Sequence, residues 1–255
     1  MTARRLAACV RLATAAATAL LLVIVFLAGP AQAQDISINF GQGTGLTERV
    51  IQLIALLTVL SLAPSILVMM TSFTRIVVVL SLLRTALGTA TAPPNAVIVS
   101  LALFLTAFVM GPAFQRAYDV GIKPLLANEI NAEQAFERSS GPFKDFMLKN
   151  VRDKDLKLFN DLAKEPPPAA PEQMSLRILI PAFMISELKR AFEIGFLLFL
   201  PFLIIDLVVA SVLMSMGMMM LPPVIVSLPF KLIFFVLVDG WSLVAGSLVQ
   251  SYGSG

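Results

Sequence analysis

The chain has 255 residues, of which 58% are hydrophobic and only 14% are charged, and its mean hydropathy is +0.87. A soluble domain carries roughly a quarter charged residues, so the composition argues against a soluble protein and indicates a polytopic membrane protein. The net charge of +3 is small and the basic residues are not clustered. This distribution disfavours nucleic-acid binding.

The N-terminal 33 residues have the features of a cleavable signal peptide. Three arginines precede an apolar run over residues 20–27, and the sequence Ala-Gln-Ala that ends at Ala33 fits the small-x-small cleavage pattern. A Gly-Pro pair at residues 29–30 would break a helix just before that site. Cleavage is therefore predicted between Ala33 and Gln34, and the alternative is an uncleaved first transmembrane helix.

The sequence contains no histidine, and its single cysteine, Cys9, lies in the predicted signal peptide. The mature chain would then have no disulfide and no thiol chemistry. Histidine-based acid–base catalysis and histidine-ligated metals are excluded, and no phosphate-binding glycine loop is recognisable. We therefore predict no cofactor, no metal site and no catalytic residues.

The first apolar region is predicted to be a helical hairpin over residues 50–114, preceded by a polar leader over residues 34–49. Its first arm carries no charge and is long enough to cross a bilayer as a helix. Paired prolines at positions 93–94 interrupt helical hydrogen bonding before the second arm. Arg75 and Arg84 follow the first arm with no acid nearby in sequence, and the positive-inside rule would place them on the cytoplasmic side.

The middle of the chain, residues 115–176, holds most of the charged side chains. Apolar residues near helical spacing over residues 143–164 predict one or two amphipathic helices in a small periplasmic region. A Pro-rich segment over residues 165–173 predicts a stiff linker. A solvated surface is the simplest interpretation of these charges.

A second apolar helical hairpin is predicted over residues 177–255, and its apolar stretches contain Asp206, Lys231 and Asp239. An ionised side chain at the centre of a membrane helix costs roughly 2.5–3.5 kcal/mol on insertion scales, so these groups should face protein or water and form pairs. A structural pair of Lys231 with either acid is favoured. An ion or proton path is the alternative, although proton relays usually need more titratable groups.

A methionine-rich stretch, GMMMLPP, interrupts this hairpin at residues 217–223. The glycine and the paired prolines predict a loop at Met218, Met219 and Met220, because consecutive residues of a helix point in different directions and could not all face one lumen. Methionine side chains repack easily. Several copies around an axis would form a soft apolar plug that excludes water, and the alternative is that these are ordinary core methionines.

Three segments resemble the FliP family of flagellar biosynthetic proteins and their virulence-secretion counterparts. They are MTSFTRIVVVLSLLRTALGT at residues 70–89, PAFMISELKRAFEIGF at residues 181–196 and PFKLIFFVLVDGW at residues 229–241. The likeness covers roughly residues 50–252 and is weakest in the leader and the Pro-rich linker. These segments mix apolar and polar positions over long stretches, which makes a chance match improbable.

The resemblance implies a core subunit of the type III export gate in the flagellar basal body, within the bacterial inner membrane. In that family the copies, taken to be a pentamer, assemble with FliQ and FliR into a helical channel for unfolded flagellar proteins, while FlhA and FlhB belong to the driving machinery. The resemblance further implies that Met218, Met219 and Met220 form a gasket in the closed pore. The assembled subunits would lie largely above the bilayer plane, and the buried charges would belong to hairpin or subunit contacts.

The predicted fold class is therefore all-α, built from membrane-type helical hairpins that assemble into a homo-oligomeric pore, with a small polar helical region. The predicted function is protein export without catalysis. The closest alternative is the equivalent subunit of a virulence injectisome. A self-contained ion channel or transporter is a further alternative and would need a charged or carbonyl-lined pathway, whereas an intramembrane enzyme would need a catalytic pair that the sequence does not show.

Overall fold

The computed structural model describes residues 46–89, 91–164, 173–218 and 221–253. Every secondary-structure element in these ranges is a helix, which confirms the all-α fold class. The predicted signal peptide and its cleavage point, nearly all of the polar leader and most of the Pro-rich linker lie outside the described residues.

Helices make up most of the described residues. In chain order they are α1 (Leu46–Met69), α2 (Phe73–Leu87), α3 (Asn95–Ala117), a π-helix (Tyr118–Ile122), α4 (Lys123–Leu126), α5 (Ala132–Asn150), α6 (Asp153–Ala163), α7 (Leu176–Ser215), α8 (Pro223–Leu237) and α9 (Gly240–Gly253). The chain divides into two compact units, Met1–Leu56 and Leu57–Gly255. Only the opening turns of α1 are described in the first unit, so the packing reported below belongs to the second.

Two helical stretches of the described residues are long and apolar enough to cross a membrane, namely Asn95–Leu126 and Leu176–Ser215. The pair α8 and α9 passes the same test as one broken span, with a bend of 63° between the two helices. These stretches agree with the membrane class that the composition indicated.

Several helix boundaries coincide with the glycines and prolines of the sequence. Gly88 ends α2 in the left-handed region, with φ of 77°, and its N–H donates to the carbonyl of Thr85. The paired prolines follow, and Pro94 is the residue immediately before α3. This break follows from proline chemistry, because the ring removes a backbone donor and restricts the preceding residue.

The main core forms where α2 packs against α7 and α3. The contact face of α2 repeats at helical spacing, and its fully buried aliphatic residues are Ile76, Val79, Leu80 and Leu83. Gly195 in α7 faces this helix, and a Cβ atom built there would lie 2.3 Å from Cδ1 of Leu82. The glycine therefore permits a close approach of the two helices, which holds α7 in register against α2.

Beyond the π-helix and α4, the charged middle region contains the two helices α5 and α6, and both pack against the first half of α7. Met147, Leu179 and Phe183 form the centre of this second core and are fully buried. A polar contact accompanies it, because the hydroxyl of Ser186 donates to Asp155 at 2.6 Å. Burial raises the pKa of the Asp155 carboxyl, but the hydrogen bonds from Arg152 and Ser186 and the Arg152 charge outweigh it and hold the pKa below its ordinary value.

Helix α5 also packs closely on the π-helix that follows α3. A Cβ atom at Gly121 would lie 2.8 Å from the carbonyl oxygen of Ala135, so only glycine fits at this contact without movement of the α5 backbone. The hydroxyl of Ser139 donates to the carbonyl of Ala117 at 3.3 Å. The position of α5 beside α3 is therefore fixed by both packing and hydrogen bonding.

Candidate functional site

At the start of the methionine-rich stretch the chain leaves helix α7 through a glycine turn. Helix α7 ends at Ser215, and Gly217 then adopts the left-handed region with φ of 74°. The N–H of Gly217 donates to the carbonyl of Met214 and the N–H of Met218 to that of Leu213, both at 3.0 Å. This pair of bonds is a Schellman motif, a helix end that favours glycine because a side chain is strained there.

Exposed methionine side chains surround this turn. Met214, Met216 and Met218 all contact solvent, and Met218 is 40% exposed. Met219 and Met220 lie outside the described residues. Pro222 precedes α8 and Pro223 is its first residue, which suits proline because the first helical N–H has no partner within a helix. The end of α7 thus presents thioether groups on the surface of the single chain.

Lys231 is buried and paired with Asp206. Its Nζ lies 2.7 Å from Oδ2 of Asp206 and 3.2 Å from the carbonyl oxygen of Ala86, near the end of α2. The other carboxylate oxygen of Asp206 accepts a hydrogen bond of 2.5 Å from the hydroxyl of Ser227. A cation at the C-terminal end of a helix is favourable because the last carbonyls are unsatisfied. The ammonium group therefore links α7, α8 and the end of α2.

Asp239, the other acid considered for Lys231, lies elsewhere. It is exposed in the turn between α8 and α9 and has φ of 50°, a conformation that Asp tolerates better than most residues. Its carbonyl accepts the N–H of Leu243 at 3.1 Å, the first bond of α9. Within the described residues its carboxylate has no ion pair. Asp239 thus forms the turn before α9, and Asp206 is the partner of Lys231.

The most deeply buried charges were not singled out by the sequence analysis. Arg75 and Glu187 are 1% and 0% exposed and form a bidentate ion pair, in which Nε of Arg75 lies 2.9 Å from Oε2 of Glu187. Tyr252 donates its hydroxyl to the same carboxylate, and Arg75 donates to Ser251 at 3.0 Å. The guanidinium carbon lies 3.8 Å from the centre of the Tyr252 ring. One network therefore joins α2, α7 and the C-terminal end of α9.

The positive-inside argument assigned Arg75 to one side of the membrane and gave it no partner. The structure buries it, because its partner Glu187 lies 112 positions along the chain and is brought close only by the packing of α2 on α7. A sequence signal was available. Arg75 and Glu187 both lie inside predominantly apolar segments, and opposite charges in such segments usually pair with each other.

Among the described residues, no group of three or more His, Cys, Asp or Glu side chains could hold a metal ion. The carboxylates of Asp206, Glu187 and Asp155 each accept hydrogen bonds from basic or hydroxyl groups. The site residues therefore form structural links between helices. These links define an all-α membrane protein in which ion pairs fix the helix packing and long apolar faces remain exposed.

The comparisons with known proteins identify the family. The family model described as the FliP family matches residues 56–248. The chain is 68% identical to flagellar biosynthetic protein FliP of Caulobacter vibrioides over 220 residues, covering 86% of this chain and 83% of the relative. It is 55% identical to FliP of Bacillus subtilis over 202 residues, which are 79% of this chain and 91% of the relative. It is 51% identical to FliP of Aquifex aeolicus over 234 residues, or 91% and 98% of the two chains.

The chain therefore belongs to the FliP family, as the three resembling segments indicated. Membership makes it a flagellar biosynthesis protein, a component of the type III export apparatus and a membrane protein of the flagellar apparatus. The reported relatives are all flagellar proteins by name. This favours the flagellar interpretation over the virulence injectisome.

Proposed function

We propose that this chain is a pore-forming core subunit of the flagellar export gate, which acts as a homo-oligomer in the bacterial inner membrane and does not catalyse a reaction. The observation that carries the proposal is the exposure of α7. Only 11% of its most apolar stretch is buried within the chain, compared with 28% for the stretch that contains α3. An apolar surface of this size needs lipid or other subunits to cover it.

Neighbouring copies suit this surface better than lipid alone. A wholly apolar groove of about 450 Å³ lies between α7 and α8, and its lining includes Val208, Val212 and Phe230. A side chain from a neighbouring helix would fill such a groove, since close packing adds dispersion contacts that a fluid acyl chain provides less fully. The apolar surface of α7 can thus be covered in two ways. In the multi-pass arrangement inferred from hydropathy, lipid covers it, and in the oligomer, neighbouring subunits cover it.

The proposed partners follow from the family. Copies of this chain, as a pentamer, would assemble with FliQ and FliR, and the complex would adjoin FlhA and FlhB. Unfolded flagellar proteins would be the cargo. No nucleotide-binding motif was found in the sequence, which is consistent with a passive conduit driven by other chains.

The proposed closure of the pore uses Met218, Met219 and Met220 as a gasket. The proposed gasket loop would begin at the Gly217 motif, which ends α7, and finish at Pro222, which precedes α8. Thioether side chains adapt their shape readily. A ring of them would exclude water and ions and could still deform around a polypeptide.

Native mass spectrometry of the detergent-purified full chain, alone and co-expressed with FliQ and FliR, tests the assembly. We expect a ring-sized oligomer that gains both partners. A monomer or dimer that ignores FliQ and FliR would contradict the export-gate subunit. If that lone species also conducted ions in planar bilayers, the chain would be a self-contained channel.

Replacement of Met218, Met219 and Met220 by alanine tests the gasket. We expect the complex to assemble and the cells to leak small ions, because alanine removes most of the volume that would seal the lumen. Met69→Ala, which changes an exposed methionine outside the turn, should leave the membrane tight. Normal ion tightness in the triple variant, with assembly intact, would rule out the gasket.

A further inference from the structure

A cleft of about 460 Å³ lies between helices α3 and α9 and the C-terminal half of α5. Phe108, Val249 and Tyr252 belong to its apolar lining. Phe108 is 74% exposed, so its ring is accessible to an incoming group. The volume lies in the range of about 300–1,000 Å³ that is usual for binding pockets, and an aromatic side chain fits such a space.

The charged lining of this cleft is basic. It consists of Arg116, Lys149 and Asp145, all three exposed, and none of them forms an ion pair within the described part of the chain. Nε of Arg116 donates to the carbonyl of Pro112 at 3.4 Å, one turn earlier in the same helix. The terminal nitrogens of Arg116 and the Lys149 ammonium are therefore available to an acidic partner, and we refer to this site as the basic cleft.

A surface of opposite charge lies on the N-terminal half of α5. Phe136 is 74% exposed there, and Glu133 and Glu137 lie beside it, one helical turn apart. Both glutamates are exposed, and neither forms an ion pair among the described residues. Like charges at this spacing destabilise a helix, and a basic partner would relieve their repulsion. We refer to these three residues as the acidic aromatic patch.

The fold presents this patch on a well-anchored helix end. Asn131 and Gln134 form a capping box, in which the N–H of Gln134 donates to the Asn131 side chain at 2.8 Å and the N–H of Asn131 donates to the Gln134 side chain at 3.3 Å. Ala135 is buried, and its carbonyl lies against Gly121 of the π-helix. A surface that is already rigid loses less conformational entropy when a partner binds.

The acidic aromatic patch cannot fill the basic cleft of its own chain. Lys149 lies thirteen positions after Phe136 on the same helix, which is about 20 Å along the axis and roughly 220° around it. Asp145 lies nine positions after Phe136, about half a turn around the helix and therefore on its opposite side. Two complementary surfaces that face away from each other on one chain can meet between copies, and such a head-to-tail contact closes into a ring when the rotation between copies allows it.

We propose that the acidic aromatic patch of one copy docks into the basic cleft of the next copy. Phe136 would lie beside Phe108, since aromatic rings pair favourably at centroid distances of about 4.5–7 Å. The two glutamates would pair with Arg116 and Lys149, and this charge complementarity would fix the orientation of the contact. The occupant is a second copy because one chain carries both surfaces. The inference rests on the proposed homo-oligomer and names one of its subunit contacts.

Charge reversal tests this contact in native mass spectrometry of the purified full chain. In Glu133→Lys/Glu137→Lys the patch would repel the cleft, and we expect the share of oligomer to fall at least about tenfold, because like charges that meet at an interface oppose association strongly. Arg116→Glu/Lys149→Glu should have the same effect. All four side chains are exposed, so the melting temperature of the monomer should stay close to that of the natural sequence.

The combination of both reversals in one chain separates a contact from damage to the fold. The quadruple variant again carries opposite charges on the two surfaces, so it should regain the natural share of oligomer. Two double variants that each harmed the fold would instead add their losses.

A matched control reverses two acids outside the patch. Asp153→Lys/Asp161→Lys changes two exposed residues of α6. Asp153 lies in the first turn of its helix, as Glu133 does in α5, so the loss of a favourable interaction with the helix dipole is the same in both variants. The control should keep the natural share of oligomer.

Crosslinking tests the location of the contact. Ala132 is exposed one turn before Phe136, and Gly253 lines the basic cleft, where a Cβ atom built on it meets no other atom within 4 Å. In a Cys9→Ser background, Ala132→Cys/Gly253→Cys treated with a short bifunctional maleimide should give a ladder of linked copies. Neither single-cysteine variant should give that ladder, because a head-to-tail contact needs both surfaces.

Several results would overturn this contact and leave the proposed homo-oligomer intact. They are an unchanged share of oligomer in both double variants, a quadruple variant that does not regain it, and an equal loss in the control. A double variant that keeps the homo-oligomer but loses FliQ or FliR on co-expression would assign the two surfaces to those partners. A natural chain that stays monomeric would overturn the proposed function together with the contact, so the two failures are distinguishable.

Discussion

The two halves of α7 are both strongly apolar, yet the chain buries one and exposes the other. In the first half, the buried residues recur with helical spacing and include a charge and a hydroxyl: Ile178, Leu179, Ala182, Phe183, Ser186, Glu187, Ala191 and Gly195. In the second half only Phe202 and Leu213 are buried. The first half packs on α2, α5 and α6, whereas most of the second half has no such cover within the described chain.

This contrast shows what hydropathy measures. A run of apolar residues indicates that a surface is buried away from water, but it does not indicate whether the same chain, a lipid or another subunit covers that surface. Paired polar residues occur in both halves, because Ser186 and Glu187 in the covered half and Asp206 in the exposed half all bind residues on other helices of the same chain. The difference between the halves therefore lies in their apolar faces.

The largest effect on stability is expected from breaking the buried Arg75–Glu187 ion pair of the covered half. Glu187→Ala leaves the Arg75 guanidinium buried without its partner, which costs about 3–5 kcal/mol. The melting temperature of the purified protein in detergent, followed by its soluble fraction after heating, should fall sharply.

The matched control lies six positions further along the same helix. Glu193 forms an exposed pair with Lys189 at 3.1 Å, and exposed pairs contribute about 0–1 kcal/mol, so Glu193→Ala should melt close to the natural sequence. If both variants melted alike, the Arg75 network would not stabilise the covered half.

A smaller loss is expected at the charge pair of the exposed half. Lys231→Ala removes the ammonium from Asp206, but that carboxylate is 29% exposed and keeps its bond from Ser227. Loss of a hydrogen bond to a charged group costs about 1.5–3 kcal/mol, and we expect a lower yield of assembled complex with an intermediate melting temperature. Asp239→Asn is the control, because it removes a charge that lacks an ion pair in the described chain and asparagine keeps the left-handed backbone conformation. Equal assembly yields for the two variants would show that Lys231 has no structural role in assembly.

The smallest effect on the single chain is expected on the exposed apolar face. Leu207 is 59% exposed, so Leu207→Ser should change the stability of the monomer by less than about 0.5 kcal/mol. The same substitution should lower the share of oligomer if neighbouring copies cover this face. Both quantities can be read from one native mass spectrum and one melting curve.

Leu179→Ser provides the comparison in the covered half, where the side chain is fully buried. Loss of a buried leucine side chain costs about 2–5 kcal/mol. The melting temperature of Leu179→Ser should therefore fall, and any loss of oligomer should follow from that loss of stability. Unchanged oligomerisation in Leu207→Ser would indicate that lipid covers the exposed half instead.

The sequence by itself determined the helical class, the interruptions and the kind of protein. Apolar runs without strand-like alternation gave helices, Gly217 and the proline pairs at residues 93–94 and 222–223 set turns, and the long mixed motifs gave the family. Each of these depends on residues that are near one another in the chain, so the local pattern is sufficient.

Only the tertiary structure decided which charges meet and which surfaces stay open. Lys231 had two candidate acids in the sequence, and the packing of α8 on α7 selected Asp206. Arg75 had none nearby, and the packing of α2 on α7 supplied Glu187 from 112 positions away. The cleft beside Arg116 likewise exists only because three helices converge there. Contacts between distant segments depend on how helix faces pack, and the spacing of residues along the chain does not encode that geometry in a form that can be read locally.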